Sequence, residues 1–304
     1  MSSWYAHGKL LLTGEYLVLE GALALALPLK FGQSFSVEKT SQNHVKWQAN
    51  YLQKPWFSAE FSLPGLKLIS FDNVKLAVKL QKILFQIHQM KPGFFSEKQG
   101  LSIKTELDFN PEFGFGSSST LITNLSNWAG VNPYELQKIT FGGSGFDIAC
   151  ALSGKPLFFQ LIKGEPSVKE IEFKPAFREN IYFVYLGKKQ KSLESIAHFK
   201  ENAVFEKNDI EQISEISKQI IKAESLEKFE NLLQKHELLL SGILKRETVK
   251  SLLFPDFPGT VKSLGGWGGD FVLMTFKGNK KELAAYLSTK NLETIFTYGE
   301  LILA

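Results

Sequence analysis

One cysteine, Cys150, serves a chain of 304 residues, so an intrachain disulfide and a cysteine-rich zinc site are both excluded. Its neighbours Ile148, Ala149, Ala151 and Leu152 are apolar, which reads as a buried structural thiol rather than a nucleophile. Histidine is also scarce. His7, His44, His88, His198 and His236 show no HxxxH spacing and no local metal pattern. Charge of one sign is not concentrated anywhere. The net charge is +4 with Lys and Arg spread along the chain, whereas a nucleic-acid-binding surface gathers them in one stripe. No nucleic-acid partner is expected. Long hydrophobic runs are absent as well: residues 22–29 are apolar but too few to span a bilayer, and Glu15 and Glu20 interrupt the stretches around them. With no basic n-region either, the expectation is a cytoplasmic protein without a membrane partner. There is no internal repeat and no low-complexity tract.

What is present is the balance of a soluble globular protein, 44% hydrophobic and 22% charged, long enough for one large domain or two moderate ones. Lys9 to Thr13 and Tyr16 to Leu19 read as two strands around a Gly14-Glu15 turn, and residues 31–56 as further strands. Residues 73–90 form an amphipathic helix, with Val74, Ala77, Val78, Ile83, Leu84 and Ile87 near helical spacing and Pro92-Gly93 closing it. Residues 101–107 alternate as a strand. Residues 155–186 read as successive strands, 208–223 and 226–244 as two long helices, and 271–276 as a strand followed by a helix and a final strand. The two long helices offer either a homodimer face or a cover for the C-terminal sheet. The class is α+β, with a boundary expected near 185 that divides the chain into 1–185 and 186–304.

Three glycine-rich turns punctuate this pattern. Pro111-Glu-Phe-Gly-Phe-Gly-Ser-Ser-Ser-Thr120 leads from a strand into a helix. Glycines allow the backbone to turn sharply and approach a ligand, and the free N–H groups of a helix start attract anions, so the segment can cradle phosphate. It lacks the Gly-Lys-Ser/Thr ending of a Walker A loop, and Ser119 stands where a dinucleotide fingerprint has its third glycine. An ordinary loop and helix cap is the alternative reading. The second turn, Gly142-Gly-Ser-Gly-Phe-Asp-Ile-Ala149, delivers one carboxylate, Asp147, as an N-cap or as a base facing a substrate hydroxyl. The third, Lys262-Ser-Leu-Gly-Gly-Trp-Gly-Gly-Asp270, either closes over a nucleotide or joins two strands.

In this order the segments resemble the GHMP kinases, the family of galactokinase, homoserine kinase, mevalonate kinase and phosphomevalonate kinase. Gly8-Lys-Leu-Leu-Leu-Thr-Gly-Glu-Tyr16 is similar to the family's first motif, Pro111 to Ser119 to its phosphate loop, and Lys262 to Asp270 to its third glycine-rich loop. The resemblance covers nearly the whole chain. It implies two α+β domains, an N-terminal one like domain 2 of ribosomal protein S5 and a ferredoxin-like C-terminal one, with ATP and Mg2+ in the cleft between them. It implies that Gly114, Gly116, Ser117, Ser118 and Ser119 wrap the ATP phosphates, with the Ser118 hydroxyl on the magnesium ion. Asp147 matches the catalytic aspartate, and Lys9 the lysine that pairs with it or with the transferring phosphate. On the substrate side it implies Glu15, Tyr16, Ser144, Gly145, Gly265, Gly266, Gly268 and Gly269.

Within the family, Tyr16 where mevalonate kinases have histidine, Gly143-Ser-Gly-Phe-Asp-Ile-Ala149 and Gly-Gly-Asp270 are similar to phosphomevalonate kinases. Lys188, Lys189 and Lys191 would then meet a phosphorylated small-molecule substrate, or form a solvated basic loop. Mevalonate kinase or another small-molecule kinase of the family is the alternative, and an inactive ligand-binding sensor a further one. Three departures stand out. His7 replaces a proline. Trp267 replaces a small residue, so its loop is expected to bulge or to present an aromatic wall. Leu136, with Glu135 beside it, falls where mevalonate kinases carry a magnesium-binding glutamate.

Overall fold

The structure, a computed structural model, describes residues 1–95, 99–188, 192–267 and 270–303. It packs as two compact units. The first comprises residues 1–8, 31–111 and 115–152, and the second residues 9–30, 112–114 and 153–304. Strands β1 (Ser2–Thr13) and β2 (Ala24–Thr40) contribute one part to each.

In the first unit, β3 (His44–Tyr51), β4 (Lys54–Ser62), β5 (Leu68–Phe71) and β6 (Gly100–Leu107) join the second half of β2 in the order β5-β4-β3-β6-β2. β3 and β6 run parallel, from Val45↔Leu101 to Tyr51↔Leu107, so the chain must cross over between them. Helix α1 (Val74–Met90) is part of that crossover. Asn73 caps it by accepting the Leu76 amide proton at 3.2 Å. Its buried stripe is Ala77, Leu80, Ile83, Leu84 and Ile87, whereas Val74 and Val78 are exposed and widen the apolar face beyond what the core covers. The stripe packs into a core of Phe35, Val45, Trp47, Phe57 and Phe61. Each fully buried Leu or Ile there contributes roughly 1.5–3 kcal/mol of apolar transfer energy. Helices α2 (Ser117–Ala129), α3 (Pro133–Thr140) and α4 (Phe146–Ser153) complete the unit, and α2 adds Ile122 and Leu125 to the same core. Cys150 is buried on α4.

In the second unit the first part of β2 pairs with β7 (Leu157–Ile162), which forms a hairpin with β8 (Glu165–Glu170). A four-stranded antiparallel sheet has the order β10-β11-β9-β12, built from β9 (Ile181–Tyr185), β10 (Val261–Leu264), β11 (Phe271–Thr275) and β12 (Ile295–Thr297). The helices are α5 (Ser192–Asn202), α6 (Lys207–Ile220), α7 (Leu226–Leu244), α8 (Val249–Leu253), α9 (Lys280–Ser288) and α10 (Tyr298–Leu301). Buried residues of α6 and α7, Ile213, Leu240 and Ile243, close over Leu17, Phe199 and Trp267. Among the described residues no helix is long and apolar enough to cross a membrane.

The expected strand at Tyr16 to Leu19 is instead a single 3-10 turn, Leu17–Glu20. Gly14 and Gly21 at φ 89° and Tyr16 at φ 62° bracket it, and positive φ angles so close together are incompatible with an extended run. Its apolar residues Leu17 and Val18 are buried by tertiary packing, which mimics the signature of a strand. The division into domains 1–185 and 186–304 stays a proposal beside these two units.

Candidate active site

Where they lie among the described residues, the segments singled out in the sequence have a defined local structure, some in the first unit and some in the second. In the second unit, β1 carries Lys9 half-buried, and its Nζ donates to the Gly114 carbonyl at 3.0 Å. Gly114 has φ 69°, and a Cβ there would lie 2.9 Å from the carboxyl carbon of Asp270. Only glycine suits that position, on both counts. Gly265 faces the same carboxylate, its added Cβ falling 3.2 Å from Asp270 Oδ2. Asp270 itself sits in the left-handed region at φ 51°. Its N–H donates to Lys188 O at 2.7 Å and its carbonyl accepts from Leu186 N–H at 2.8 Å. Lys9, Gly114, Asp270 and Gly265 therefore form one neighbourhood, drawn from all three glycine-linked motifs of the second unit. Gly266 follows Gly265 and is half-buried. Gly268, Gly269, Lys189 and Lys191 lie outside the described residues.

Glu15 and Tyr16 also belong to this unit, and both are buried. The Glu15 carboxylate accepts a short hydrogen bond from Lys262 Nζ, and that ammonium is itself fully buried. Lys262 also donates to Ser263 O at 2.8 Å and lies 3.9 Å from Glu237. His236 Nε2, 3.3 Å from Glu15, accepts the Gly14 amide proton at 3.0 Å. That bond places the imidazole proton on Nδ1, so the contact with Glu15 is not an ion pair. Burial, with the Lys262 charge beside it, holds His236 well below the usual histidine range. Burial pushes the Glu15 carboxyl up, an effect Lys262 opposes, and the same competition leaves Glu237 at about 7. The Tyr16 hydroxyl accepts the Trp267 amide proton at 3.0 Å. Trp267 presents no outward aromatic wall. Its ring is 5% exposed among Tyr16, Phe199 and Leu240, and its Nε1–H donates to Glu247 O at 3.2 Å.

In the first unit the phosphate-loop serines open α2. Gly116, at φ 94°, is the N-cap and offers no side chain, so no side-chain cap takes the first amides of the helix. Ser119 is buried and turns its hydroxyl back to Gly116 O at 2.9 Å, while Ser118 is exposed. Asp147 lies in the first turn of α4, one residue inside the helix rather than at its cap. Its Oδ1 accepts from Gln137 Nε2 at 2.9 Å and from Ile148 N–H at 3.1 Å. Ser144 is half-buried, and Gly145 starts α4 by accepting the Ala149 amide proton at 3.0 Å.

Gln137 is the residue that sequence reasoning missed. Leu136 is fully buried in the core and Glu135 is exposed, so the α3 side chain that reaches Asp147 is an amide. Its other atom, Oε1, is buried without a hydrogen-bond partner. The sequence offered little signal for it: Gln137 is simply the polar residue next to the apolar Leu136, and both are buried on α3.

These residues fit a magnesium–nucleotide ligand by their chemistry. The α2 start is uncapped by any side chain, Ser118 presents a hydroxyl, and Asp147 a carboxylate. Mg2+ commonly takes one or two such oxygens and completes its shell with phosphate and water, which suits a site without a metal cage. Among the described residues no cluster of three His, Cys, Asp or Glu could hold a metal by itself.

No family model matches the chain, and no curated protein matches it in sequence. Solved structures do match in three dimensions. The Methanococcus jannaschii mevalonate kinase is 19% identical with a TM-score of 0.73, the match covering 100% of this chain and 98% of that one. The Streptococcus pneumoniae phosphomevalonate kinase in complex with phosphomevalonate and AMPPNP is 16% identical, with a TM-score of 0.71 and coverage of 98% and 100%. The Lactococcus lactis galactokinase complexed with galactose is 10% identical, with a TM-score of 0.67 and coverage of 99% and 93%. Over its whole length, the chain has the α+β fold of the GHMP small-molecule kinases.

Proposed function

We propose that this protein is an ATP-dependent small-molecule kinase of the GHMP type, acting on phosphomevalonate with Mg2+ as the accompanying ion. The observation that carries the kinase reading is the bond from Lys9 to the Gly114 carbonyl, which ties the first motif to the phosphate loop. Phosphoryl transfer needs charge neutralisation and positioning more than covalent chemistry, and a lysine anchored to the phosphate loop meets that need. The free amides at the start of α2 and the hydroxyls of Ser117 and Ser118 would hold the nucleotide phosphates, with Ser118 on the ion. Magnesium, when bound, neutralises phosphate charge. Asp147, fixed by Gln137, would orient or accept the proton of the acceptor hydroxyl. Glu15 and Tyr16 would act from behind the site, because both are buried and Glu15 Oε1 and the Tyr16 hydroxyl are bonded inside the fold. The choice of phosphomevalonate rests on the Gly-Ser-Gly-Phe-Asp and Gly-Gly-Asp motifs.

Release of ADP, coupled to a spectrophotometric signal, tests the proposal with Mg-ATP against mevalonate, phosphomevalonate, homoserine and galactose. Turnover on phosphomevalonate alone, abolished by Asp147→Asn, is the expected result. Turnover on a different acceptor keeps the kinase and removes the substrate. A second reading, a nucleotide-binding sensor, draws on Gln137, whose amide beside Asp147 cannot give a metal the charge of a carboxylate. ATP binding with silence on all four acceptors would favour it.

A further inference from the structure

We propose that the first motif, from Lys9 on β1 to the turn at Glu15 and Tyr16, holds two loops at once, with Glu15 and Tyr16 as positioning residues for the third glycine-rich loop. The inference rests on the kinase reading above for its functional meaning, and on the second unit alone for its geometry.

At one end of the segment Lys9 holds the phosphate-loop carbonyl of Gly114. Beyond the end of β1, past the turn at Gly14, Glu15 and Tyr16 grip the third loop at two points. Glu15 binds Lys262, which is on β10 just ahead of the loop. Tyr16 accepts the amide proton of Trp267, inside it. Between those two anchors lie Ser263, Leu264, Gly265 and Gly266, and Gly265 abuts the Asp270 carboxylate that also abuts Gly114. Gly265 and Gly266 are thus fixed from both sides, and the positive φ of Gly265 requires a glycine at the turn.

The strand end is itself immobilised from the helix side. The Thr13 hydroxyl meets Ser217 Oγ of α6 at 2.7 Å, and the Gly14 N–H donates to His236 of α7 at 3.0 Å. A turn held this firmly can impose position on whatever it grips. The grip is also costly to lose, since without Glu15 the buried Lys262 would keep only the more distant Glu237 as a counter-charge, and without Lys262 the buried Glu15 would lose its cationic partner. A fully buried Lys–Glu pair is weak evidence for added stability, because an apolar or neutral pair of the same shape often serves as well. Its use here is register: the pair fixes which residue of β10 faces the turn, and so where Gly265 stands relative to Gly114.

The test labels all tryptophans with 5-fluorotryptophan and reads them by 19F NMR. Trp267 is the only tryptophan of the second unit, since Trp4, Trp47, Trp56 and Trp128 all belong to the first. Trp267→Phe assigns its signal. Two variants are compared with the wild type: Glu15→Gln/Lys262→Met, which removes both buried charges while preserving shape, and Tyr16→Phe, which removes one hydroxyl and leaves the pair intact. The Trp267 signal moves or splits in both while the other four hold, and in the double variant kcat falls about a hundredfold, the loss that about 1 Å of misplacement causes, with a smaller change in the KM for ATP. An unmoved Trp267 signal overturns the proposal. So does movement of all five signals together, which would make the pair a support of the whole fold. So does a moved signal with kcat unchanged. A moved signal in a protein whose wild type releases no ADP upholds the geometry and overturns the kinase reading instead.

Discussion

At the scale of single residues, two carboxylates carried by the glycine-rich turns, Asp147 and Asp270, are held in different ways. Asp147 Oδ1 accepts a hydrogen bond from Gln137 Nε2 and another from the Ile148 N–H, so its carboxylate is already oriented. Asp147→Asn should reduce kcat by at least about a hundredfold, the usual range for a positioned acid–base group, while leaving ATP affinity within about twofold. Steady-state kinetics beside equilibrium nucleotide binding would check this, and a parallel loss of both would refute the assigned role. Asp270 makes a different prediction. A Cβ at Gly114 would press within 2.9 Å of its carboxyl carbon while the backbone stays at φ 69°. Gly114→Ala should therefore destabilise the protein by more than about 1 kcal/mol. Gly114→Ala/Asp270→Ala should recover the part due to the clash and not the part due to φ. Urea denaturation of both variants separates the two.

At the scale of elements, α7 places His236 and Glu237 side by side on a fully buried stretch next to Lys262. Their pH effects oppose each other. Glu237 has its pKa raised from 4.5 to about 7 in the folded protein. Its stabilising contribution is fully present below about 4.5 and is lost as pH rises toward 7. His236 is depressed below 6.5, so its contribution is present above 6.5 and is lost as pH falls. Glu237→Gln removes only the first of these. The advantage of that variant over the wild type should grow by about 3 kcal/mol between pH 4.5 and 7. Denaturation midpoints across that range measure it, and a difference flat with pH would mean that Glu237 stays ionised inside the fold. Helix α1 offers a simpler case. Leu84 is fully buried in the first unit, and Leu84→Ala should cost about 2–5 kcal/mol by urea denaturation.

At the scale of the whole molecule, a ligand that binds only the folded state stabilises it by mass action, and at a hundredfold excess over Kd the gain is about 2.7 kcal/mol. Mg-ATP should raise the Tm of the wild type and of Asp147→Asn alike. No rise in either would remove nucleotide from the proposed function. Much of this molecule was legible from residue order. The glycines at 114, 116 and 265 were recognisable because turns with positive φ demand them, and the α1 stripe because helical periodicity is a local property. The turn at Leu17–Glu20 was not legible, because burial by distant helices imitates the apolar pattern of a strand.

The sequence by itself determined the class of fold, the order of the three glycine-rich turns, and the placement of Asp147 on the second of them and of Lys9 ahead of them all, since each depends on neighbours within a few residues. Only the tertiary structure decided what the side chains face. Glu15 meets Lys262 across 247 positions of chain, Trp267 turns into a core made with Tyr16 and Phe199, and Gln137, rather than Leu136 or Glu135, reaches Asp147. The physical reason is that a buried charge needs a partner, and a large ring a cavity of its own shape. Neither requirement says where along the chain it will be met.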